Sequence, residues 1–313
     1  MGEVTGLQSK IENLKSKILV LVGPTAVGKT ALAIELAQRL DGEIVSADSR
    51  CLYRGMDIGT AKPTPEERAC VPHHLIDVTT PDRPWTLIQF QAAAFAALEA
   101  IQARGRWALL VGGTGQYIRA VTEGWQIPPG EPDGALRAEL EAALAREGVE
   151  ALAARLRSVD PESAASIDVR NPRRVIRALE VALTTGASFV SQRRKTAPPF
   201  ASIILGLNRP RPELYARIDT RIDAMLAAGL ADEVRALAAQ GYGWDLPAMS
   251  ALGYKQMGAY VRGECDLAEA VRRIKHDTRV FVRRQANWFK PADPAIRWFD
   301  AGQVTPEALI ESL

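Results

Sequence analysis

Gly23-Pro24-Thr25-Ala26-Val27-Gly28-Lys29-Thr30 fits the spacing G-x-x-x-x-G-K-[ST] in full. It follows a short apolar run and precedes a helical pattern, which is the context in which that spacing cradles phosphates. The glycines let backbone N–H groups turn inward, and the helix N-terminus adds positive potential. Lys29 is placed to reach a terminal phosphate, and the Thr30 hydroxyl to hold Mg²⁺. A diphosphate or triphosphate is the expected ligand, although nothing in the loop itself requires ATP hydrolysis. A motor or switch ATPase usually ends a neighbouring strand in an acid that assists the metal and positions water. Here Leu109 to Val111 runs instead into Gly112-Gly113-Thr114.

An acidic residue does end another apolar stretch, at Asp48, followed by Ser49-Arg50. In a parallel α/β sheet the C-terminal strand ends converge on the ligand crevice. Asp48 and Thr114 are therefore candidates to face the ligand of the loop. The alternatives are that Asp48 merely caps a following helix and that Thr114 satisfies its own turn. Further along, Asp266 to Phe289 puts Leu267, Val271, Ile274, Phe281 and Trp288 near one stripe. Arg272, His276, Arg279 and Arg283 recur at i, i+4, i+7 and i+11 on another face. Such a row is either a solvated face or, beside a crevice, a phosphate grip.

The elements that must carry these residues alternate. Strands are expected at Ile18–Val22, Glu43–Ala47, His74–Val78, Trp107–Val111, Ser202–Leu207 and Ile296–Phe299. Helical patterns run through Leu32, Leu36 and Leu40, from the Thr86/Gln89 capping box to Ala103, over Pro212–Ala239 and over Asp266–Phe289. That alternation predicts an α/β fold, a P-loop doubly wound parallel sheet with a helical insertion domain. Residues 1–127 plus 201–313 form the expected core and 128–200 the insertion. The insertion opens at the break Pro128-Pro129-Gly130, and Asp160-Pro161 and Asn171-Pro172 read as helix starts within it.

With 313 residues, 47% of them hydrophobic, the chain can bury a sizeable core. Its net charge of +2 means that any nucleic-acid binding must come from local patches. Arg170, Arg173, Arg174 and Arg177 crowd together in the insertion, either to meet RNA phosphates or to pair with acids such as Glu180. Cys51, Cys70 and Cys265 have no metal-ligand spacing and suit a reducing compartment. No membrane-length apolar run and no signal-like stretch is seen, so a cytoplasmic location without membrane partners is expected.

Taken in order, the motifs form a recognisable set. They are the P-loop, Asp48-Ser49, Tyr53-Arg54-Gly55-Met56-Asp57-Ile58-Gly59-Thr60-Ala61-Lys62-Pro63 and His73-His74-Leu75-Ile76-Asp77. Gly112-Gly113-Thr114-Gly115, Arg177-Ala178-Leu179-Glu180, Gly253-Tyr254-Lys255, Thr278-Arg279, Arg284-Gln285 and Trp288-Phe289 follow. From about Lys17 to Trp298 the chain resembles the bacterial tRNA dimethylallyltransferase (isopentenyltransferase) family. The resemblance implies that Gly23 to Thr30 hold the diphosphate of dimethylallyl diphosphate with Mg²⁺ at Thr30. It makes Asp48 the general base, Thr114 an active-site threonine and Arg279 a diphosphate-binding arginine. It implies tRNA contacts at Asp48, Ser49, Arg50, Cys51, Thr114, Arg137, Arg173, Arg174, Val175, Ile176 and Arg177. The turn Ala251, Leu252, Gly253, Tyr254, Lys255 and Gln256 belongs to the same group. The partners implied are the tRNA anticodon stem-loop and the prenyl donor, and the chain is expected to act as a monomer. Cys51 and Arg173 stand where many members have glutamine. The same chemistry on free AMP, a small-molecule or nucleotide kinase, and a nucleotide-dependent RNA-binding module are the competing readings.

Overall fold

The computed structural model describes residues 16–127, 134–192 and 194–313. The chain divides into two compact units, one of Met1–Thr122 with Pro199–Leu313 and one of Glu123–Pro198. The break expected at Pro128-Pro129-Gly130 lies outside the described residues.

The first unit is a six-stranded sheet in the order β3-β2-β4-β1-β5-β6, every pair of neighbours parallel. In chain order it runs β1 (Lys17–Val22), α1 (Lys29–Leu40), β2 (Gly42–Ser46), α2 (Pro65–Cys70) and β3 (His73–His74). Then come α3 (Leu87–Ala103), β4 (Trp107–Gly112) and α4 (Gly115–Thr122). The second unit holds α5 (Gly134–Val159), α6 (Pro161–Ser166) and α7 (Pro172–Thr185). The first unit resumes with β5 (Ala201–Asn208), α8 (Arg211–Ala227), α9 (Leu230–Ala239), α10 (Tyr254–Val261), α11 (Leu267–Gln285), β6 (Ile296–Asp300) and α12 (Pro306–Glu311).

The unbroken apolar run of β1 follows from burial on both faces. Leu19 and Leu21 enter one core, while Ile18, Val20 and Val22 enter the core on the other side of the sheet. Parallel pairing brings every strand's C-terminal end to one edge. Gly23, Asp48 and Thr114 leave β1, β2 and β4 there, which is how a phosphate loop, a carboxylate and a hydroxyl come to be neighbours.

Several expected elements change on folding. The strand expected at His74–Val78 is only His73–His74, because Leu75 and Asp77 take left-handed backbone angles of φ 60 and 58. Their turn delivers the Asp77 carboxylate to Lys62 and Arg68. The pattern over Pro212–Ala239 is two helices, parted at Gly229, whose φ of 96 no side-chain-bearing residue adopts easily. On α11 the buried line is Ala270, Ile274, Thr278, Val282 and Gln285, whereas Leu267 and Phe281 are 43% and 40% exposed. Spacing of four, four, four and three selects that narrower stripe, which ends on a buried glutamine.

The second unit has its own core of Leu140, Leu152, Leu156, Val175, Ile176 and Leu179. Asp160 and Asn171 cap α6 and α7 by accepting from Ser163 N and Arg174 N, each with proline in the first turn. No helix among the described residues is long and apolar enough to cross a membrane.

Candidate active site

The loop between β1 and α1 is held from several directions. Arg209 Nε donates to Val27 O at 3.1 Å and Arg217 Nε to Ala26 O at 2.9 Å. Thr25 N donates to Gln285 Oε1 at 2.9 Å. Gly28 precedes α1 with no side-chain cap, so the first amides of that helix are unclaimed by any capping side chain and suit an anion. Lys29 folds back on its own loop, donating to Gly23 O at 2.9 Å and Pro24 O at 2.8 Å. Burial lowers its pKa from 10.5 to about 8; Asp48 works against that shift and Arg221 adds to it. A diphosphate would supply the counter-charge that this lysine lacks.

Across the crevice, Asp48 caps no helix. One carboxylate oxygen accepts from Arg50 N at 2.8 Å in a local turn, and the other has no hydrogen bond among the described residues. Thr114 does not satisfy its own turn either. Its Oγ1 accepts from Ser49 N at 3.1 Å, while its N–H donates to Ala47 O at 3.3 Å. The ends of β2 and β4 are thereby stitched together beside the loop, with Asp48 and Thr114 half-buried.

The arginine expected here, Arg279, is engaged with side chains of α8. Arg279 pairs with Asp219 at 2.5 Å and lies over the Tyr215 ring, 5.4 Å from its centroid. Its Nε and Asp219 Oδ1 are buried without a hydrogen-bond partner. The guanidinium whose charge bears on Lys29 and Asp48 is that of Arg221 on α8. Burial holds the Arg221 pKa below the ordinary arginine value, and the Asp48 carboxylate opposes that shift. Arg217 and Arg221 are four residues apart and share one helical face, a spacing that by itself does not tell a row beside a site from a solvated one.

Next to Thr30 and Arg221 opens a cavity of about 480 Å³, walled by Ile58, Ala61, Pro63 and Met225. Lys62 in that wall is buried and ion-paired to Asp57 and, at 2.6 Å, to Asp77. No group of three or more His, Cys, Asp or Glu able to hold a metal ion occurs among the described residues. Thr30 lines the cavity, and its hydroxyl is the kind of single protein ligand that Mg²⁺ takes beside phosphates and water.

The residues expected to touch RNA divide into available and unavailable. Cys51 is 5% exposed, and burial, with Asp48 beside it, pushes its thiol well above the ordinary range. In the turn before α10, Ala251, Gly253, Tyr254 and Gln256 are buried, leaving only Leu252 and Lys255 to present side chains. Tyr254 is occupied with Glu233 at 2.6 Å and Gln256 with Asp277 at 2.7 Å. In the second unit the side chains of Val175 and Ile176 belong to the core. Arg137 and Arg177 both pair with Glu180, at 3.0 and 3.3 Å, and Arg170 pairs with Asp168 at 3.0 Å. Arg173 and Arg174 are exposed and make no ion pair among the described residues.

Fold and site together define a P-loop α/β protein that sets a carboxylate and a hydroxyl beside a phosphate cradle. The chain belongs to the IPP transferase family: the profile of that family matches residues 51–292, and one for isopentenyl transferase matches 16–77. It is 55% identical over 273 residues to a tRNA dimethylallyltransferase of Roseiflexus sp. (strain RS-1), covering 87% of this chain and 90% of that one. A tRNA dimethylallyltransferase of Thermomicrobium roseum is 52% identical over 291 residues, or 93% of this chain and 88% of its own. Among solved structures, the full-length tRNA isopentenylpyrophosphate transferase of Bacillus halodurans superposes with a TM-score of 0.70 at 41% identity. That match covers 95% of this chain and 94% of the other. A eukaryotic dimethylallyltransferase acting on tRNA gives a TM-score of 0.77 at 26% identity, over 91% of this chain and 74% of its own.

Proposed function

We propose that the protein transfers the dimethylallyl group of dimethylallyl diphosphate to N6 of the adenosine immediately 3′ of the anticodon in tRNA, releasing diphosphate. The observation that carries this reading is the meeting of three strand ends, phosphate loop, Asp48 and Thr114, in a chain 55% identical to a tRNA dimethylallyltransferase.

The N6 amine shares its lone pair with the ring and attacks poorly while it keeps both protons. Asp48 takes one as the N6–C1 bond forms, a contribution of about 10²–10⁴-fold for a positioned base. On the other side the C1–O bond breaks and its electron pair leaves with the diphosphate. Lys29, the loop amides and Arg221 meet that growing charge. Arg279 acts through Asp219, steadying the helix that carries Arg217 and Arg221. Thr30 would hold Mg²⁺, which when bound supplies further positive charge to the leaving group. The cavity beside Thr30 and Arg221 admits the small donor. The adenosine leaves its stack to reach Asp48, with Leu252 and Lys255 on the acceptor side. The second unit holds the anticodon arm through Arg173 and Arg174, contacts that position RNA without reading its sequence. The same reading makes the protein a monomer of the cytoplasm.

Labelled dimethylallyl diphosphate is incubated with the protein and unmodified tRNA, with AMP replacing tRNA in one arm and labelled ATP replacing the donor in another. Label entering tRNA alone supports the proposal. Label on AMP points to a free-nucleotide acceptor, and phosphate transfer from ATP points to a kinase.

A further inference from the structure

Gln285 ends α11, 4% exposed, in the midst of the site. Its Oε1 accepts from Thr25 N in the phosphate loop at 2.9 Å, and its Nε2 donates to Gly113 O at 3.0 Å. A Cβ at residue 113 would come within 2.5 Å of that Nε2, so the turn has to be glycine for the amide to approach. Thr114 follows at once, and its hydroxyl accepts from Ser49 N beside Asp48. One planar side chain therefore spans the loop that takes the donor's diphosphate and the turn that leads to the base.

The chemistry of that position is narrow. It needs an acceptor at one end and a donor at the other, with no net charge next to Lys29 and the phosphates. Among side chains of this length only an amide offers both without first taking up a proton. An ionised glutamate would keep the bond from Thr25, lose the one to Gly113 and point charge at a carbonyl oxygen. The phosphate loop has other anchors in Arg209 and Arg217. Loss of Gln285 should therefore leave the cradle formed while freeing its distance from Thr114 and Asp48.

We propose that Gln285 is a positioning residue: acting through Thr25 and Gly113, it sets the separation between the diphosphate cradle and the Thr114–Asp48 pair. The inference rests on the transfer reaction proposed above. In such a reaction the attacking nitrogen, C1 and the leaving oxygen must align, and an error near 1 Å costs roughly 10²-fold.

Two variants test it, Gln285→Met and Gln285→Glu, each assayed for single-turnover transfer, for affinity toward inorganic diphosphate and tRNA, and for melting temperature. Gln285→Met should transfer about 30- to 100-fold more slowly, with both affinities within about threefold of the parent. Gln285→Glu should also be slow, and its rate relative to the parent should rise as the pH is lowered toward 5.5, because a protonated glutamate regains a donor for Gly113. Transfer by Gln285→Met within threefold of the parent overturns the proposal. So does a loss of diphosphate affinity as large as the loss of rate, which would make Gln285 part of the cradle. Failure of both variants to fold overturns it too, since the residue would then be structural. A parent protein that transfers nothing removes the proposed function itself, an outcome distinct from an active parent with unimpaired variants.

Discussion

Arg217 and Arg221 in the first unit and Arg173 and Arg174 in the second all sit on helices, and in sequence nothing separates the two pairs in kind. In the folded chain they meet different partners. Arg217, itself exposed, is tied down by the carbonyl of Ala26, and Arg221 is half-buried beside the Asp48 carboxylate. Arg173 and Arg174 extend from an exposed face, while Arg137 and Arg177 beside them are taken up by Glu180. A desolvated cation locked by packing acts at one point with high strength, as the developing charge on a leaving group requires. A solvated cation on a long stem acts weakly and over many geometries, which suits the phosphates of an RNA and makes it sensitive to salt. The difference separates residues that should govern rate from residues that should govern RNA affinity.

The largest effect is expected from Asp48→Asn, which keeps the shape and removes the base. Single-turnover transfer should fall about 10²–10⁴-fold with tRNA affinity retained. Activity within a few-fold of the parent would take Asp48 out of that role. Next comes the contrast between two arginines: Arg221→Ala should slow transfer about 10²-fold, and Arg279→Ala, one layer removed behind Asp219, no more than about 10-fold. Equal losses would mean that Arg279 meets the diphosphate after all.

A smaller effect concerns pH. Burial holds the free-state pKa of Lys29 at about 8, and a bound diphosphate must raise it. Below that pKa the lysine is already charged and its binding contribution is complete; as pH rises through 8 the free enzyme loses the proton. Binding of dimethylallyl diphosphate should therefore weaken above pH 8 and take up protons there, measurable by calorimetry in buffers of different ionisation enthalpy. Lys29→Arg should abolish that uptake, and uptake persisting in this variant would assign it elsewhere. The smallest effect belongs to the second unit. Arg173→Ala with Arg174→Ala should weaken tRNA binding modestly and make its log–log salt slope shallower by about 1.5. Arg137→Ala, whose charge is already paired, should leave the slope as it was.

What could be read from residues alone was local chemistry whose parts adjoin in the chain. The P-loop, the strand that feeds it, the acid at Asp48 and the glycines before Thr114 each carry their own signature. Arg221 and Gln285 carry none, because i, i+4 arginines on α8 look like any solvated row and a glutamine near a helix end looks like surface. Packing of α8 and α11 against the loop gives both their meaning. The same holds in reverse for Tyr254, Gln256, Val175 and Ile176. They lie within motifs associated with RNA, yet their side chains serve the interior. Asp77 shows a third case, where an apolar run that reads as a strand is turned aside so that a carboxylate can reach Lys62.

The central claim is the acceptor: a single adenine nitrogen in an anticodon loop, supplied by dimethylallyl diphosphate. Unmodified tRNA is treated with the protein and the labelled donor, digested to nucleosides and oligonucleotides, and analysed by mass spectrometry. The account predicts one dimethylallyl group per reactive tRNA, on N6 of the adenosine immediately 3′ of the anticodon, and none on AMP. Label on any other nucleotide, or on AMP in preference to tRNA, would contradict it.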